Sequence, residues 1–260
     1  MKDKVFAFTN AKGGVGKSVT TVSLGAGLAL NKKKVLLIDL DAQQHLTFSL
    51  TQKEFDKGIY DSLIKNEPLN IVNVRENLDL IPATIELARV EIDLASKMAR
   101  EGILRKLLEP IKDKYDVILI DCPPNLGIVT TNALVASDKI LIPLTAEALP
   151  LKGLKMIDDI VDEVKGLVNP NLEIGGIVIT RYNQRRNLNR DVLEMIRERY
   201  EDKVFQTKIR ENILIAESPL SGKTIFEYEP KSNGAKDYMA LTKEFIERFH
   251  TENLFSKNIF

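Results

Sequence analysis

A run of glycines and lysines near the start of the chain has the composition of a phosphate-binding loop. The apolar segment Val5–Phe8 is followed by NAKGGVGKS at residues 10–18, and then by small and apolar residues up to Leu30. Glycines let consecutive backbone N–H groups turn toward one anion, and the helix that follows presents its positive N-terminus to the same anion. Lys17 would supply a charge for the β- and γ-phosphates of a nucleotide, and the Ser18 hydroxyl could bind Mg²⁺. The predicted nucleotide-binding residues are Lys12, Gly13, Gly14, Val15, Gly16, Lys17, Ser18 and Val19.

This loop departs from the common phosphate-loop pattern G-x-x-x-x-G-K-[ST]. Gly16, Lys17 and Ser18 match the end of the pattern, but Ala11 stands at its first glycine and Lys12 adds a second lysine. The alternative is a glycine-rich turn that happens to precede a helix, and the strand before it and the three glycines in four residues argue against that. A second Gly-Lys-Thr sequence at 222–224 has neither a strand nor a glycine upstream, so we predict an exposed loop there.

Acidic residues end two other apolar segments. Val35–Ile38 is followed by Asp39 and Asp41, and Val117–Ile120 is followed by Asp121. Asp39 and Asp121 could support a Mg²⁺ ion, directly or through water, and Asp41 could orient or deprotonate an attacking water. Taken without the glycine-rich loop, the first pair is also consistent with a capped loop.

The segments between the apolar runs have helical periodicity. Strands are predicted at Val5–Phe8, Val35–Ile38, Val117–Ile120, Ile140–Ile142 and Ile177–Ile179, because continuous apolar runs suit strands buried on both faces. Two apolar stripes predict helices, one with Leu154, Ile157, Val161, Val164 and Val168 and one with Leu188, Val192, Ile196 and Tyr200. We expect a single α/β domain over residues 1–260, a mostly parallel twisted sheet flanked by helices in three layers. Ligands bind such sheets beyond the carboxyl ends of the strands, where the three segments above would lie.

The overall composition excludes several classes of protein. The chain has 260 residues, 37 Lys+Arg, 37 Asp+Glu and 44% apolar residues, which is typical of a folded chain and not of a disordered one. A net charge of zero gives no sign of a basic nucleic-acid binder. The single cysteine, Cys122, excludes an intramolecular disulfide, and we expect it to be a small buried neighbour of the site. With no signal peptide and no apolar run of about 18 residues, we expect a cytoplasmic protein.

Three segments together resemble the ParA/MinD family of ATPases. Residues 12–18 are similar to the family's deviant Walker A loop, whose signature is an additional lysine, and residues 39–43 are similar to its first switch, with Ala42 in place of a proline. Residues 121–127 resemble the second switch. Several segments between residues 180 and 235 resemble the ParA/Soj partition branch in particular, and the resemblance covers roughly residues 4–249.

The resemblance implies a P-loop NTPase fold and an ATPase that uses Mg²⁺. Lys12 would reach phosphates of the ATP held by a second subunit, while Lys17 and Ser18 bind phosphates and Mg²⁺ within one subunit. Asp41 would position the hydrolytic water. ATP would favour a sandwich homodimer, and slow hydrolysis to ADP would return it to monomers. The implied catalytic residues are Lys12, Lys17 and Asp41, and the implied metal-binding residues are Ser18, Asp39 and Asp121.

The resemblance also implies DNA binding, because members of the partition branch bind duplex DNA without sequence preference as dimers. Residues 181–210 contain nine Lys/Arg and five Asp/Glu, a local positive excess. The alternative is a solvated helix face with ion pairs such as Arg190–Glu194 and Glu194–Arg197. Leu214 stands where many relatives have an arginine, which implies a weaker or rearranged patch. The implied DNA-binding residues are Arg185, Arg186, Arg190 and Arg210.

In this family, a ParB-like centromere-binding protein stimulates hydrolysis to segregate plasmid or chromosome DNA, which implies a nucleoid-associated protein. Segments 180–183 and 209–212 are implied adenine contacts. Because the first strand begins by Val5, we expect no N-terminal helix-turn-helix extension.

Two other functions on the same scaffold stay open. A MinD-like membrane-cycling ATPase would need a basic amphipathic C-terminal helix, but residues 242–260 carry three basic and three acidic residues, so no membrane partner is expected. A metabolic P-loop enzyme, such as a phosphotransferase or an amide ligase, would need a second substrate pocket. An iron–sulfur carrier is excluded, because two cysteines in a dimer fall short of the usual Cys₄ set.

Overall fold

The computed structural model describes residues 3–147 and 150–250, and each of the five apolar runs predicted as strands lies in a strand. The strands are β1 (Val5–Phe8), β2 (Val35–Asp39), β3 (Val72–Arg75), β4 (Leu78–Ile81), β5 (Val117–Asp121), β6 (Lys139–Thr145), β7 (Glu173–Tyr182) and β8 (Val204–Arg210). The α-helices are α1 (Lys17–Leu30), α2 (His45–Leu50), α3 (Ile59–Lys65), α4 (Val90–Ala95), α5 (Ile103–Leu108), α6 (Ile128–Ala136), α7 (Pro150–Leu167), α8 (Asn187–Tyr200), α9 (Ile213–Glu217), α10 (Ile225–Tyr228) and α11 (Asn233–His250). Short 3₁₀ segments lie at Ile85–Arg89, Arg100–Gly102, Lys112–Lys114, Glu201–Lys203 and Ser218–Ser221.

The eight strands of the described residues form one sheet in the order β3-β4-β2-β5-β1-β6-β7-β8. Strand β3 runs antiparallel to β4, and all other neighbouring strands are parallel. Parallel strands bring their carboxyl ends to the same edge of the sheet. The loops that follow β1, β2 and β5 therefore lie side by side.

Apolar side chains on the two faces of the sheet build two separate cores. On β2, Leu36 and Ile38 point into one core, while Val35 and Leu37 point into the other, the alternation expected of a strand. The first core packs α6, α7 and α8 against the sheet, and the second packs α1 and α11 against the opposite face. The predicted three-layer α/β class, with a mostly parallel sheet between helices, is confirmed.

Two residues of the predicted helical stripes are not in the core. Val168 follows the last residue of α7 and is 42% exposed, and Leu188 in the first turn of α8 is 51% exposed. The other members of both stripes are buried. The two stripes predicted helices, and α7 and α8 contain all of their residues except Val168, which comes one residue after the end of α7.

The close approach of α1 and α11 predicts a measurable cost for a larger residue at Gly27. A Cβ at this position would overlap Thr242 Oγ1 and lie 3.1 Å from Thr242 Cβ. We expect Gly27→Ala to lower the free energy of unfolding by about 1–3 kcal/mol, as overpacking does. The matched control is Gly166→Ala in α7, where a Cβ meets no described atom within 4 Å, so the same change should be neutral or stabilising by up to about 1 kcal/mol. Urea unfolding measures both, and equal effects would contradict the packing argument.

Candidate nucleotide-binding site

The three segments singled out in the sequence meet at one edge of the sheet. Strand β1 leads into the glycine-rich loop, β2 ends at Asp39 and β5 ends at Asp121. Since β5 lies between β1 and β2, Asp121 is paired with Phe8 on one side and with Asp39 on the other. Parallel pairing alone therefore places the two carboxylates beside the loop.

The conformation of the loop is set by its glycines and by Asn10. Gly14 and Gly16 have φ angles of +72° and +85°, a left-handed conformation that favours glycine. Asn10 donates from Nδ2 to the carbonyl of Pro143 at 2.8 Å and accepts at Oδ1 from the N–H of Lys12 at 2.9 Å. Asn10 thus ties the start of the loop to the neighbouring strand β6.

Distant elements brace the rest of the loop and the helix after it. The Thr180 hydroxyl, on β7, donates to the carbonyl of Val15 at 2.8 Å. The hydroxyls of Thr20 on α1 and Tyr238 on α11 lie within hydrogen-bond distance at 3.2 Å. Sequence reasoning missed Thr180 and Tyr238 as supports of the site, because no local pattern reports a partner more than 150 residues away.

Lys17 is buried and curls back over the loop. Its Nζ donates to the carbonyls of Asn10 at 3.2 Å and Lys12 at 3.3 Å. Burial lowers the pKa of Lys17, against the opposing influence of the Asp121 and Asp41 carboxylates. The ammonium group therefore lies inside the ring of loop backbone, where a phosphate group would meet it together with the N–H groups that begin α1.

Asp121 is a buried carboxylate without a hydrogen-bond partner within the described residues. Neither of its side-chain oxygens is solvent-accessible or hydrogen-bonded at 3.5 Å or less. Burial and the charge of Asp39 raise the pKa of Asp121 well above its usual value, while the nearby Ser18 hydroxyl and Lys17 act in the opposite direction. An unsatisfied buried carboxylate next to a serine is a suitable environment for a hydrated Mg²⁺ ion, so these residues fit the metal that the loop implies.

Asp39 has a different environment, because its oxygens are already hydrogen-bonded. Oδ2 accepts from the backbone N–H and the hydroxyl of Thr47, at 2.8 and 2.7 Å, and Oδ1 accepts from the N–H of Asp41 at 3.1 Å. Burial raises the pKa of the Asp39 carboxyl to about 6, although these hydrogen bonds favour the charged form. Asp39 thus fixes the segment between β2 and α2, and with it the position of Asp41.

Two clefts flank the loop. One, of about 450 Å³, is lined by Lys17 and Ser18 of the loop and by Asp41. The other, of about 530 Å³, lies beside Gly14 and is lined by Thr180–Arg181 and by residues 209–212. The first cleft contains side chains that could bind phosphates and a metal ion. The second brings together the two segments that the family resemblance suggested for the base.

The two lysines of the loop are in different environments. Lys12, unlike Lys17, points outward, and its Nζ lies 2.8 Å from Oε2 of Glu147, just after β6. Both side chains are about half exposed. The neighbouring Lys12 lowers the pKa of Glu147. Among the described residues, the side chain of the second lysine is therefore held at the surface by one ion pair.

Two other sequence features take no part in the site. Cys122 is fully buried, as predicted, and burial raises the pKa of its thiol, which makes it a poor nucleophile. The sequence at 222–224 does not form a phosphate loop. Lys223 is exposed, but Thr224 is buried and caps α10 by accepting from Glu227 N–H, so the prediction of an exposed loop was wrong for Thr224.

The basic residues proposed for DNA lie near the second cleft, at the start of α8 and the end of β8. Arg185, Arg186 and Arg190 are exposed around the start of α8. Arg190 donates to the side-chain oxygen of Asn187, and Arg197 donates to that of Gln206. These contacts replace the helix-surface ion pairs that the alternative interpretation expected at Glu194.

Arg210 and Leu214 both make contacts within the subunit, although the Arg210 side chain remains 49% exposed. The guanidinium of Arg210 forms a two-point contact with the nearly buried Asp237 of α11, at 2.6 to 3.2 Å, and the same carboxylate accepts the Arg210 backbone N–H. Leu214 is partly buried and packs against the core beneath α1 and α11.

Fold and site together define a P-loop nucleotide-binding protein of the three-layer α/β class. Residues 3–174 match the family described as an AAA domain. The chain is 43% identical over 246 residues to the sporulation initiation inhibitor protein Soj of Bacillus subtilis, which covers 93% of this chain and 97% of that protein. It is 37% identical over 250 residues to the chromosome partitioning protein ParA of Myxococcus xanthus, with 94% and 88% covered. The chain belongs to the ParA/Soj family of P-loop proteins.

Solved structures agree with this assignment. A cobyrinic acid a,c-diamide synthase from Mycobacterium smegmatis, with bound ATP analogue and magnesium, superposes with a TM-score of 0.84 at 32% identity and covers 96% of both chains. A putative plasmid partition protein from Borrelia burgdorferi bound to AMPPNP superposes with a TM-score of 0.83 at 28% identity, with 95% of this chain and 100% of that chain covered.

Proposed function

We propose that the chain is a Mg²⁺-dependent partition ATPase that dimerises around ATP and binds duplex DNA without sequence preference. A ParB-like partner would stimulate its slow hydrolysis and so segregate plasmid or chromosome DNA in the cytoplasm, on the nucleoid. The observation that carries this proposal is the contrast between the two loop lysines. Lys17 is buried on the carbonyls of its own loop, whereas the contact of the Lys12 ammonium group among the described residues is a surface ion pair with Glu147. Such pairs contribute about 0–1 kcal/mol, so Lys12 can leave for a phosphate of a second subunit at little cost.

The geometry of the first cleft supports the assignment of phosphate and metal binding to it. The loop N–H groups and Lys17 would bind the phosphates, and Ser18 would bind Mg²⁺ with Asp121 in support. Among the described residues there is no cluster of three or more His, Cys, Asp or Glu that could hold a metal by itself. A site made of one serine, one carboxylate and phosphate oxygens is what Mg²⁺ uses with nucleotides, and the ion neutralises charge on them.

Asp41 is the group that would act on water. Its backbone N–H is fixed by Asp39, and its Oδ1 accepts from the N–H of Gln43 at 3.0 Å. The carboxylate is buried at the wall of the cleft that contains Lys17 and Ser18. We assign Asp41 to orienting the water and accepting its proton. We assign Asp39, whose oxygens already accept three hydrogen bonds, to positioning Asp41 beside the metal site.

Nucleotide-dependent DNA binding tests this function. We expect the protein to bind random-sequence duplex DNA with a non-hydrolysable ATP analogue and far less with ADP, with log affinity falling linearly against log salt. Fluorescence anisotropy with a labelled duplex, repeated at several salt concentrations, measures both effects. Equal binding with and without nucleotide, or no binding at low salt, would contradict the proposal.

Two alternative functions give different results in the same experiment. The similarity to a cobyrinic acid a,c-diamide synthase favours a metabolic ATP-dependent enzyme as second candidate, which predicts no DNA binding. A membrane-cycling ATPase would bind anionic vesicles in the presence of ATP. Binding to phosphatidylglycerol liposomes is therefore measured alongside binding to DNA. In the part of the chain that is described, no helix has the length and apolar character to cross a bilayer. The tail at 251–260, on which the expectation of no membrane partner partly rests, lies outside the described residues.

A further inference from the structure

One surface carboxylate, that of Glu211, is shared by two arginines. Its oxygens lie 3.3 Å from a guanidinium nitrogen of Arg186 and 4.0 Å from one of Arg181. Glu211 directly follows β8, Arg181 lies near the end of β7, and Arg186 directly precedes α8. Two guanidinium groups that converge on a single anion have the composition of a phosphate-binding position.

The carboxylate of Asp237, which pairs with Arg210 nearby, differs from that of Glu211 in burial and in hydrogen bonding. Asp237 is almost buried and accepts a backbone N–H as well as the guanidinium, so it is a structural link between β8 and α11. Glu211 is 46% exposed, and the described residues donate no hydrogen bond to its side chain that meets the usual geometry. Its contacts are those of a loose surface ion pair, worth about 0–1 kcal/mol, which another anion can displace.

We propose that Glu211 occupies a DNA phosphate position on this face and competes with the DNA backbone for Arg186 and Arg181. This inference rests on the proposed function. The carboxylate acts as a built-in anion that reduces the number of phosphate contacts, whereas Arg185 and Arg190 have no ion pair within 4.0 Å among the described residues. Affinity is thereby limited in a protein that must leave DNA after each round of hydrolysis.

The experiment must separate this local competition from a general change of charge and from nucleotide binding. Glu211→Gln keeps the shape of the side chain and removes its charge. Glu194→Gln, on the exposed face of α8, removes the same charge from a side chain that forms no ion pair with an arginine within 4.0 Å in the described part of the chain. Because Glu211 and Arg181 also line the second cleft, DNA binding is compared at saturating ATP analogue, with nucleotide affinity measured separately for each variant.

When the charge of Glu211 is removed, Arg186 and Arg181 should become available to bind DNA phosphates, which should increase the affinity for DNA and its salt dependence. We expect Glu211→Gln to tighten duplex binding by about 3–10-fold near 0.1 M salt and to steepen the log–log salt slope by about 1–2. Glu194→Gln should have a clearly smaller effect than Glu211→Gln, because Glu194 lies one helical turn from Arg190 but holds no arginine in an ion pair within 4.0 Å among the described residues, so its neutralisation frees no phosphate-binding group. Adding Arg186→Gln to the Glu211 variant should remove most of the gain.

The outcomes distinguish this inference from the proposed function. If the wild type binds duplex DNA with ATP analogue but the Glu211 and Glu194 variants behave alike, the competing-anion role is wrong. If Arg186→Gln leaves the gain unchanged, the freed contact is not Arg186 and the inference also fails. If no variant binds DNA at low salt, it is the proposed function itself that fails.

Discussion

Replacing Asp41 by alanine is expected to lower the rate of ATP hydrolysis by about 10²–10⁴-fold, the usual contribution of a positioned general base. The carboxylate is buried at the wall of the cleft that also contains Lys17 and Ser18. Its backbone is held by Asp39 and its side chain accepts a hydrogen bond from Gln43, so it is fixed before any nucleotide binds. Nothing in these contacts makes Asp41 necessary for phosphate binding. The variant should therefore bind ATP normally and accumulate as a DNA-bound dimer.

Phosphate release under single-turnover conditions measures this effect, with ATP affinity and thermal midpoint recorded for the same samples. Asp113→Ala is a suitable control, because Asp113 is largely exposed and pairs with Lys4 close to the amino end of β1. Its hydrolysis rate should be unchanged. A normal rate for the Asp41 variant would show that another group activates the water.

The segments that carry the phosphate-binding and acidic residues could be predicted from the sequence, because each is a continuous stretch of the chain. The loop at 10–18 and the acidic ends of β2 and β5 are read from neighbouring residues alone. Parallel pairing then makes the carboxyl ends of the strands adjacent without further information. For this reason the positions of Gly16, Asp39 and Asp121 follow from the sequence, whereas the hydrogen bonds of Asp39 to Thr47 do not.

The supports of the site could not be predicted, since their partners are far away in sequence. Asn10 contacts Pro143, Lys12 contacts Glu147, and Thr180 contacts Val15, each across more than 130 residues. None of these side chains has a pattern of its own. The same limit applies to Glu211. Its negative charge is visible in the sequence, but its proximity to Arg181 and Arg186 arises only when the chain folds.

Sequence reasoning missed three strands, β3, β4 and β8. In β4 the apolar run is only four residues long and is interrupted by Asp79, although the strand pairs with both β2 and β3. β3 is short, pairs antiparallel at the sheet edge and is only partly buried. β8 forms the opposite edge, and its residues Gln206–Lys208 are not in the core. Edge strands bury fewer side chains than central strands, so their composition resembles that of a loop. The central strands β1, β2 and β5, by contrast, are buried at every residue and were predicted.

Replacing Lys12 by alanine is expected to abolish ATP-dependent dimerisation while ATP binding is retained. Lys17, the loop N–H groups and Ser18 remain in place to bind the nucleotide of the same subunit, because Lys12 contributes only its backbone to that arrangement. Its side chain lies at the surface in an ion pair with Glu147, and in the proposed dimer it would contact the nucleotide of the second subunit. Light scattering coupled to size-exclusion chromatography, in the Asp41→Ala background to prevent hydrolysis, measures the loss.

Glu147→Gln is the matched control, since it breaks the same ion pair but keeps the lysine. If Lys12 acts by reaching across the interface, this variant should dimerise at least as well as the parent. The gain has an upper limit of about fivefold, corresponding to the roughly 1 kcal/mol of a surface ion pair. If Lys12 acts only by stabilising its own subunit through Glu147, both variants should lose dimerisation equally. Opposite effects of two substitutions that remove one contact therefore assign the function to the lysine itself and not to the ion pair.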